Sequence, residues 1–302
     1  MKIAVIDLGT NTFHLIIAEK NNGNQPKVVF KTNKPVKLGE DITKDNLIIP
    51  AAFERGIACL KEFKAMADRF EVSQIKAVAT SGVRSAQNGA EFVSEARIQA
   101  GIHIEIIDGE QEAAYIYEGV KWSGAITDKS LVMDIGGGST EFILCNEKEV
   151  IWKKSYNIGA ARLMQRFFKS DPISEHDKQL ILAHLADELG ELKAICQAHN
   201  PQTLIGSAGA FETFAGMIDP AIDIDQTATA AISLEAYRKL AHQLIGATHQ
   251  ERTDMPGLIP LRVDMIVMAS LLTNYVIDEL GIAKLKLSTY DLKMGVLASL
   301  SN

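Results

Sequence analysis

Two segments of this sequence pair an acid with a turn of glycines and hydroxyls. Val5-Ile6-Asp7-Leu8-Gly9-Thr10-Asn11-Thr12 recurs in form as Val132-Met133-Asp134-Ile135-Gly136-Gly137-Gly138-Ser139, with position 7 carried to position 134, an offset of 127 residues. Glycines let successive backbone N–H groups wrap a phosphate, and hydroxyls add neutral donors. Thr10, Asn11 and Thr12 in the first copy, and Gly137, Gly138, Ser139 and Thr140 in the second, are therefore candidate phosphate ligands. Glu141 follows the second turn, so Asp134 and Glu141 can look into one pocket, where they would repel unless a divalent cation lay between them. Mg²⁺ suits this arrangement, because it takes one or two carboxylates together with phosphate oxygens and water. Asp7 is a third candidate on the metal side, with capping of its own turn as the plain alternative.

Other residues could complete a phosphoryl-transfer site. Leu204-Ile205-Gly206-Ser207-Ala208-Gly209-Ala210 reads as a strand turning into a helix at Phe211, which offers Gly206, Ser207 and Gly209 to an anion or a ribose. Arg84, in Thr80-Ser81-Gly82-Val83-Arg84, follows a buried strand and could clamp a phosphate through two parallel hydrogen bonds. Asp108-Gly109-Glu110-Gln111-Glu112 heads a helix. Acids there complement the helix dipole, but Glu112 could also take a proton from a water aimed at phosphorus. Lys27, Lys31, Lys34 and Lys37, and Lys153, Lys154, Arg162, Arg166 and Lys169, form two basic stretches that suit an anion-attracting rim or a solvated strand edge. The seven histidines show no metal-ligand spacing.

Both acid-bearing turns need a strand on either side. Each apolar run ends in Asp, turns, and re-enters β structure, over 13–19 and 141–146; a Walker or dinucleotide loop would run into a helix instead. The remaining pattern alternates helix and strand. Helices are expected over 51–69, 89–100, 110–120, 175–198 (capped by Ser174), 234–245 and 263–280. Strands are expected over 75–80, 103–107, 203–206 and 284–288. Two α/β halves built alike imply two sheets facing each other across a cleft, with a boundary near 121–129.

The chain has 302 residues, enough for two domains. Hydrophobic residues make up 47% and charged residues 23%, which excludes disordered and fibrous classes. The net charge of −7 argues against a coat for nucleic acid or an anionic membrane. Cys59, Cys145 and Cys196 are far apart and odd in number, which fits a reducing compartment. With no signal peptide and no run approaching the roughly 20 residues of a membrane span, a cytoplasmic location is expected. The apolar stretch 263–280 would serve a core or a homodimer interface equally well.

Taken in order, VIDLGTNTFHLIIA, KLGE, ATSGVRSAQN, GEQEAAYIYEGV, LVMDIGGGSTEF, NIGAARL, GSAGAFE, RVDMIV and STYDLKMGVL resemble the exopolyphosphatase/guanosine pentaphosphate phosphohydrolase family of the actin–hexokinase–Hsp70 superfamily. The resemblance implies two similar actin-like (ribonuclease H-like) domains, 1–123 and 124–302, facing an interdomain cleft, with the last helix returning to the first domain. It implies Mg²⁺-assisted attack of water on the terminal phosphate of inorganic polyphosphate or the 5′-terminal phosphate of guanosine pentaphosphate. Glu112 then looks like the catalytic carboxylate, Arg84 like a phosphate clamp, and Asp134, Glu141 and Asp7 like the metal-side carboxylates. The chain departs from the family at Gln111, where an acid is usual, and at Lys293-Met294, where the pattern is Arg-Glu. It also lacks the helical C-terminal module of longer members, from which weaker processivity on long polyphosphate is expected. A kinase of the same fold and a non-catalytic alarmone sensor use the same kinds of residue and are the competing readings.

Overall fold

Both acid-bearing segments fold as antiparallel hairpins in the computed structural model, which describes residues 1–20, 26–207 and 209–300. The chain divides into two units, the first made of 1–119, 136–138 and 292–302, the second of 120–135 and 139–291.

The first unit opens with β1 (Lys2–Leu8), β2 (Thr12–Glu19) and β3 (Lys27–Pro35), followed by the single turn α1 (Ile42–Asp45) and the long α2 (Pro50–Arg69). Then come β4 (Gln74–Ala79), the short α3 (Ser81–Arg84), α4 (Gly89–Ala100), β5 (Ile104–Ile106) and α5 (Gly109–Ser123), whose last residues enter the second unit. The sheet order is β3-β2-β1-β4-β5, with β1 antiparallel to β2 and parallel to β4. Strand β1 is apolar on both faces, and Ile3 through Ile6 are all buried. α2 starts at Pro50, whose missing N–H costs nothing in a first turn. It buries Ala52, Gly56, Ile57, Leu60, Phe63 and Ala67 at helical spacing.

The second unit repeats this plan. It contains β6 (Ser130–Ile135), β7 (Thr140–Cys145), β8 (Val150–Tyr156), α6 (Ala160–Phe167), α7 (Glu175–Glu188), α8 (Gly190–His199), β9 (Thr203–Ser207), α9 (Gly209–Ile218) and β10 (Thr229–Ile232). It ends with α10 (Leu234–Gly246), α11 (His249–Thr253), α12 (Ile266–Leu280) and β11 (Lys284–Ser288). The sheet order β10-β11-β9-β6-β7-β8 matches the first sheet strand for strand, with β10 added at one edge. The last helix, α13 (Leu292–Ser299), belongs to the first unit.

The expected helix over 175–198 is two helices. Ser174 caps the first by accepting from Asp177 N, as expected, but the run breaks at Leu189, ahead of Gly190. Glycine inside a helix is about 1 kcal/mol less favourable than alanine, and a bend there lets Leu189, Leu192 and Cys196 all reach the core. α12 is buried on nearly every side from Ile266 to Ile277, so that apolar stretch is core of the second unit.

Burial also governs the cysteines. Loss of hydration pushes the thiols of Cys59 and Cys145 up to about 12 and that of Cys196 to about 11. Thiols held protonated are poor nucleophiles. An alkylating reagent at pH 8 should therefore label none of the three in the folded protein and all three in urea, as read by intact mass; rapid native labelling would contradict this.

Candidate active site

In the first unit three turns meet. A Cβ placed on Gly138 would lie 2.6 Å from Ser81 Oγ and 2.7 Å from Thr10 Oγ1, and one on Gly137 would lie 3.1 Å from Thr10 Cβ and 3.5 Å from Asn11 Cβ. At Gly138 any side chain would collide with both hydroxyls, and the glycine turn, the Thr10–Asn11 turn and the start of α3 form one seat. Among the described residues, Thr12 Oγ1 and Ser81 Oγ are buried there without a hydrogen-bond partner. A buried hydroxyl left unsatisfied costs about 1–3 kcal/mol, a cost that a phosphate oxygen or bound water would remove. Both residues are buried, at 6% and 2% exposure.

The same unit holds the candidate base. Asp108 caps α5 by accepting from Gln111 N at 2.7 Å, which sets the first helical turn. One residue on, Glu112 is 6% exposed, and Arg84 Nη1 donates to its Oε2 at 2.9 Å. That nitrogen also donates to the Ile107 carbonyl at 2.8 Å, so the guanidinium is anchored to backbone as well as to the carboxylate. Arg84 is thus bonded to Glu112 directly, a contact that sequence spacing did not suggest. Gln111 lies on another face of the helix, where its amide donates to Glu105 Oε1 at 3.3 Å and Tyr115 Oη at 3.5 Å. Lys76 first, and Gln111 in a lesser way, hold the Glu105 carboxyl below its ordinary range. The glutamine is engaged in this peripheral group and leaves the Glu112–Arg84 pair intact.

In the second unit the acids sit in one row across the sheet. Register places Thr229, Ser288, Ser207, Asp134, Glu141 and Ser155 side by side on β10, β11, β9, β6, β7 and β8. Residues directly opposite on neighbouring strands share a face, so Asp134 and Glu141 are adjacent, as the hairpin requires. Ser207 Oγ donates to Asp134 Oδ2 at 2.9 Å from one side, and Ser155 Oγ donates to Glu141 Oε1 at 2.7 Å from the other. The two serines fix both carboxylates. Two oriented carboxylates match the donor set that Mg²⁺ takes from a protein.

The other expected residues have more local roles. Thr140 Oγ1 donates to the Ile158 carbonyl at 3.2 Å, and Ser139 is buried at 2% exposure. Gly206 faces the Phe211 ring, where a side chain would overlap it. Gly209 begins α9 against the guanidinium of Arg262, where a Cβ would come within 2.5 Å. Ala208 lies outside the described residues. In the basic stretches, Lys34 pairs with Glu62 and Lys154 with Glu191, as a solvated edge would have it.

Three residues near these groups escaped sequence reasoning. Ser81 lies in a segment read for Arg84 alone. Arg262 carries no spacing signal; loss of hydration lowers its pKa, and the carboxylates of Glu212 and Asp134 oppose that shift. His14 stands opposite Asp7 across β1 and β2. For His14 a signal existed, because position 14 moved by the same 127 residues is Glu141.

Two α/β units of one topology, each with an acid-ended hairpin, define the actin-like class of fold. The chain belongs to the Ppx/GppA phosphatase family, whose model matches residues 16–302. It is 36% identical to an exopolyphosphatase from Cytophaga hutchinsonii of known crystal structure, with a TM-score of 0.96 over 100% of this chain and 98% of that one. A Haemophilus influenzae protein described as a candidate exopolyphosphatase is 31% identical over 99% of this chain and 91% of its own length. A guanosine-5′-triphosphate,3′-diphosphate pyrophosphatase from Aeromonas hydrophila is 28% identical over 98% of this chain, which spans 59% of that relative.

Proposed function

We propose that the protein hydrolyses terminal phosphoanhydride bonds, with inorganic polyphosphate or guanosine pentaphosphate as substrate and water as the attacking group. The observation that carries this reading is the buried Glu112 carboxylate, tied to Arg84 at 2.9 Å in the unit that also holds two partnerless hydroxyls and the bare glycine turn. A fixed carboxylate beside a phosphate seat is what deprotonation of an attacking water needs. Phosphoryl transfer otherwise depends mainly on positioning and neutralisation of charge.

The residues divide the work. Glu112 orients the water and accepts its proton, and Arg84 keeps that carboxylate in one rotamer. The N–H groups and hydroxyls of the Thr10–Thr12 and Gly137–Gly138 turns receive the outermost phosphoryl oxygens. Asp134 and Glu141, set side by side in the second unit, would hold Mg²⁺, which would supply positive charge for a phosphate substrate. Arg262, beside Asp134, supplies a further cation in the second unit.

The test is release of orthophosphate from tripolyphosphate, longer polyphosphate and guanosine pentaphosphate with no acceptor added. Turnover should stop with EDTA and return on titration with Mg²⁺. Transfer that requires an added hydroxyl acceptor would replace hydrolysis with the kinase reading, and binding without any turnover would favour the sensor. Competing the two substrates at matched concentration ranks them.

A further inference from the structure

Lys37 has a backbone conformation that lysine rarely adopts. Its φ is 50°, in the left-handed region, which brings Cβ of an L-residue too close to the following carbonyl oxygen. Asp41, Asn46, Glu71 and Asn200 share that region; Asn and Asp tolerate it through local side-chain hydrogen bonds. Lysine has no such compensation. The conformation is imposed from several sides: Lys37 N donates to the Asn11 carbonyl at 2.7 Å, and the Lys37 carbonyl accepts from Glu40 N at 3.1 Å and from Arg55 Nη2 at 3.3 Å. Two residues on, Gly39 N donates to the Thr10 carbonyl at 2.8 Å, and any Cβ on Gly39 would overlap the Thr10 methyl group. The segment 36–40 is thereby fastened to the turn proposed to hold phosphate, and it occupies two carbonyl oxygens that would repel an anion.

The surrounding charges are already matched. Arg55 pairs with Glu40 at 2.6 Å and Lys34 with Glu62 at 2.6 Å. The Lys37 ammonium makes no ion pair among the described residues, and the side chain is exposed. Glycine would remove the backbone strain at this position, yet the chain carries a cation. Strain held in place by its surroundings is a recognised mark of functional sites.

We propose that Lys37 is a substrate-binding residue that contacts the polyphosphate chain beyond the unit being cleaved. The inference rests on the proposed function above. A polyphosphate carries negative charge on every unit, so a cation fastened to the rim of the seat meets the next unit along, whereas orthophosphate has no such unit.

Calorimetric titration of tripolyphosphate and of orthophosphate, each with Mg²⁺, into wild type, Lys37→Met, Lys37→Arg and Lys37→Gly tests this without requiring turnover. Lys37→Met should raise the dissociation constant for tripolyphosphate about tenfold, the effect of losing one charge-assisted hydrogen bond. Orthophosphate binding should stay within about twofold, and Lys37→Arg should retain most of the affinity. Lys37→Gly should bind as weakly as Lys37→Met while melting no lower than wild type, because glycine suits the backbone; this separates charge from folding. The loss should shrink in high salt, which screens an exposed contact. Lys239→Met, the same charge change on exposed α10, should leave affinity unchanged. An unchanged tripolyphosphate affinity in Lys37→Met, or an equal loss for orthophosphate, overturns the inference. Failure of wild type to release phosphate while still binding tripolyphosphate overturns the proposed hydrolysis alone.

Discussion

Glu112→Gln should lower the rate of phosphate release by about 10²–10⁴-fold, the usual contribution of a positioned general base. The amide preserves shape and can still accept from Arg84 Nη1 through its oxygen, so the pair, the start of α5 and the melting temperature should change little. Substrate affinity should persist, because the turn residues and the carboxylates proposed to hold Mg²⁺ are untouched. Loss confined to kcat places Glu112 in the chemical step. A variant that retains wild-type turnover would remove Glu112 from catalysis, and one that melts early would show the carboxylate to be structural. Arg84→Lys makes a useful comparison, since lysine keeps the charge but loses the rigid guanidinium whose Nη1 donates to both Glu112 and the Ile107 carbonyl.

The second large effect is on stability. Gly295→Ala places a methyl group on α13 where the Tyr115 carbonyl oxygen of α5 already sits, with the Tyr115 carbonyl carbon at 2.6 Å and its Cα at 3.0 Å. The obstacle is backbone, so no rotamer change relieves it. α13 must separate from α5, although Leu292, Met294, Val296 and Leu297 are buried along it. Overpacking a core typically costs about 1–3 kcal/mol, and a backbone collision should exceed the upper figure. A clear fall in the melting temperature is expected, with reduced turnover, because Tyr115 lies one turn after Glu112 on α5. Gly216→Ala, on α9 with nothing within 4 Å of the new methyl group, should be neutral or stabilising by up to about 1 kcal/mol. Equal behaviour of the two variants would refute the packing argument. Met294 itself is buried, so the departure from Arg-Glu at Lys293-Met294 replaces a charge with an apolar contact at that position.

Much of the candidate site was legible because a hairpin converts sequence into position. An apolar run ending in Asp, a short glycine turn and a following acid leave one antiparallel register, and that register puts Asp134 opposite Glu141. The repeat carried the same information into the first unit, but His14 went unread there, although the 127-residue offset takes it to Glu141. The helix ending at Leu189 was less legible, because periodicity continues through a bend. Strand β8 and helix α6 were missed as elements, since the segment 150–167 mixes charge with short apolar runs.

Local pattern in the chain determined the two-unit plan, the hairpin turns and the pairing of acids within one sheet, because these depend on neighbours a few residues apart. Tertiary structure alone decided which distant groups meet: Arg84 with Glu112, Ser207 and Ser155 with the two acids, Gly138 with Ser81, and α13 with α5. Those partners lie on different strands, turns and helices. Hydrogen bonding and close packing bring them together only after the sheets have formed, and no spacing along a chain records such a contact.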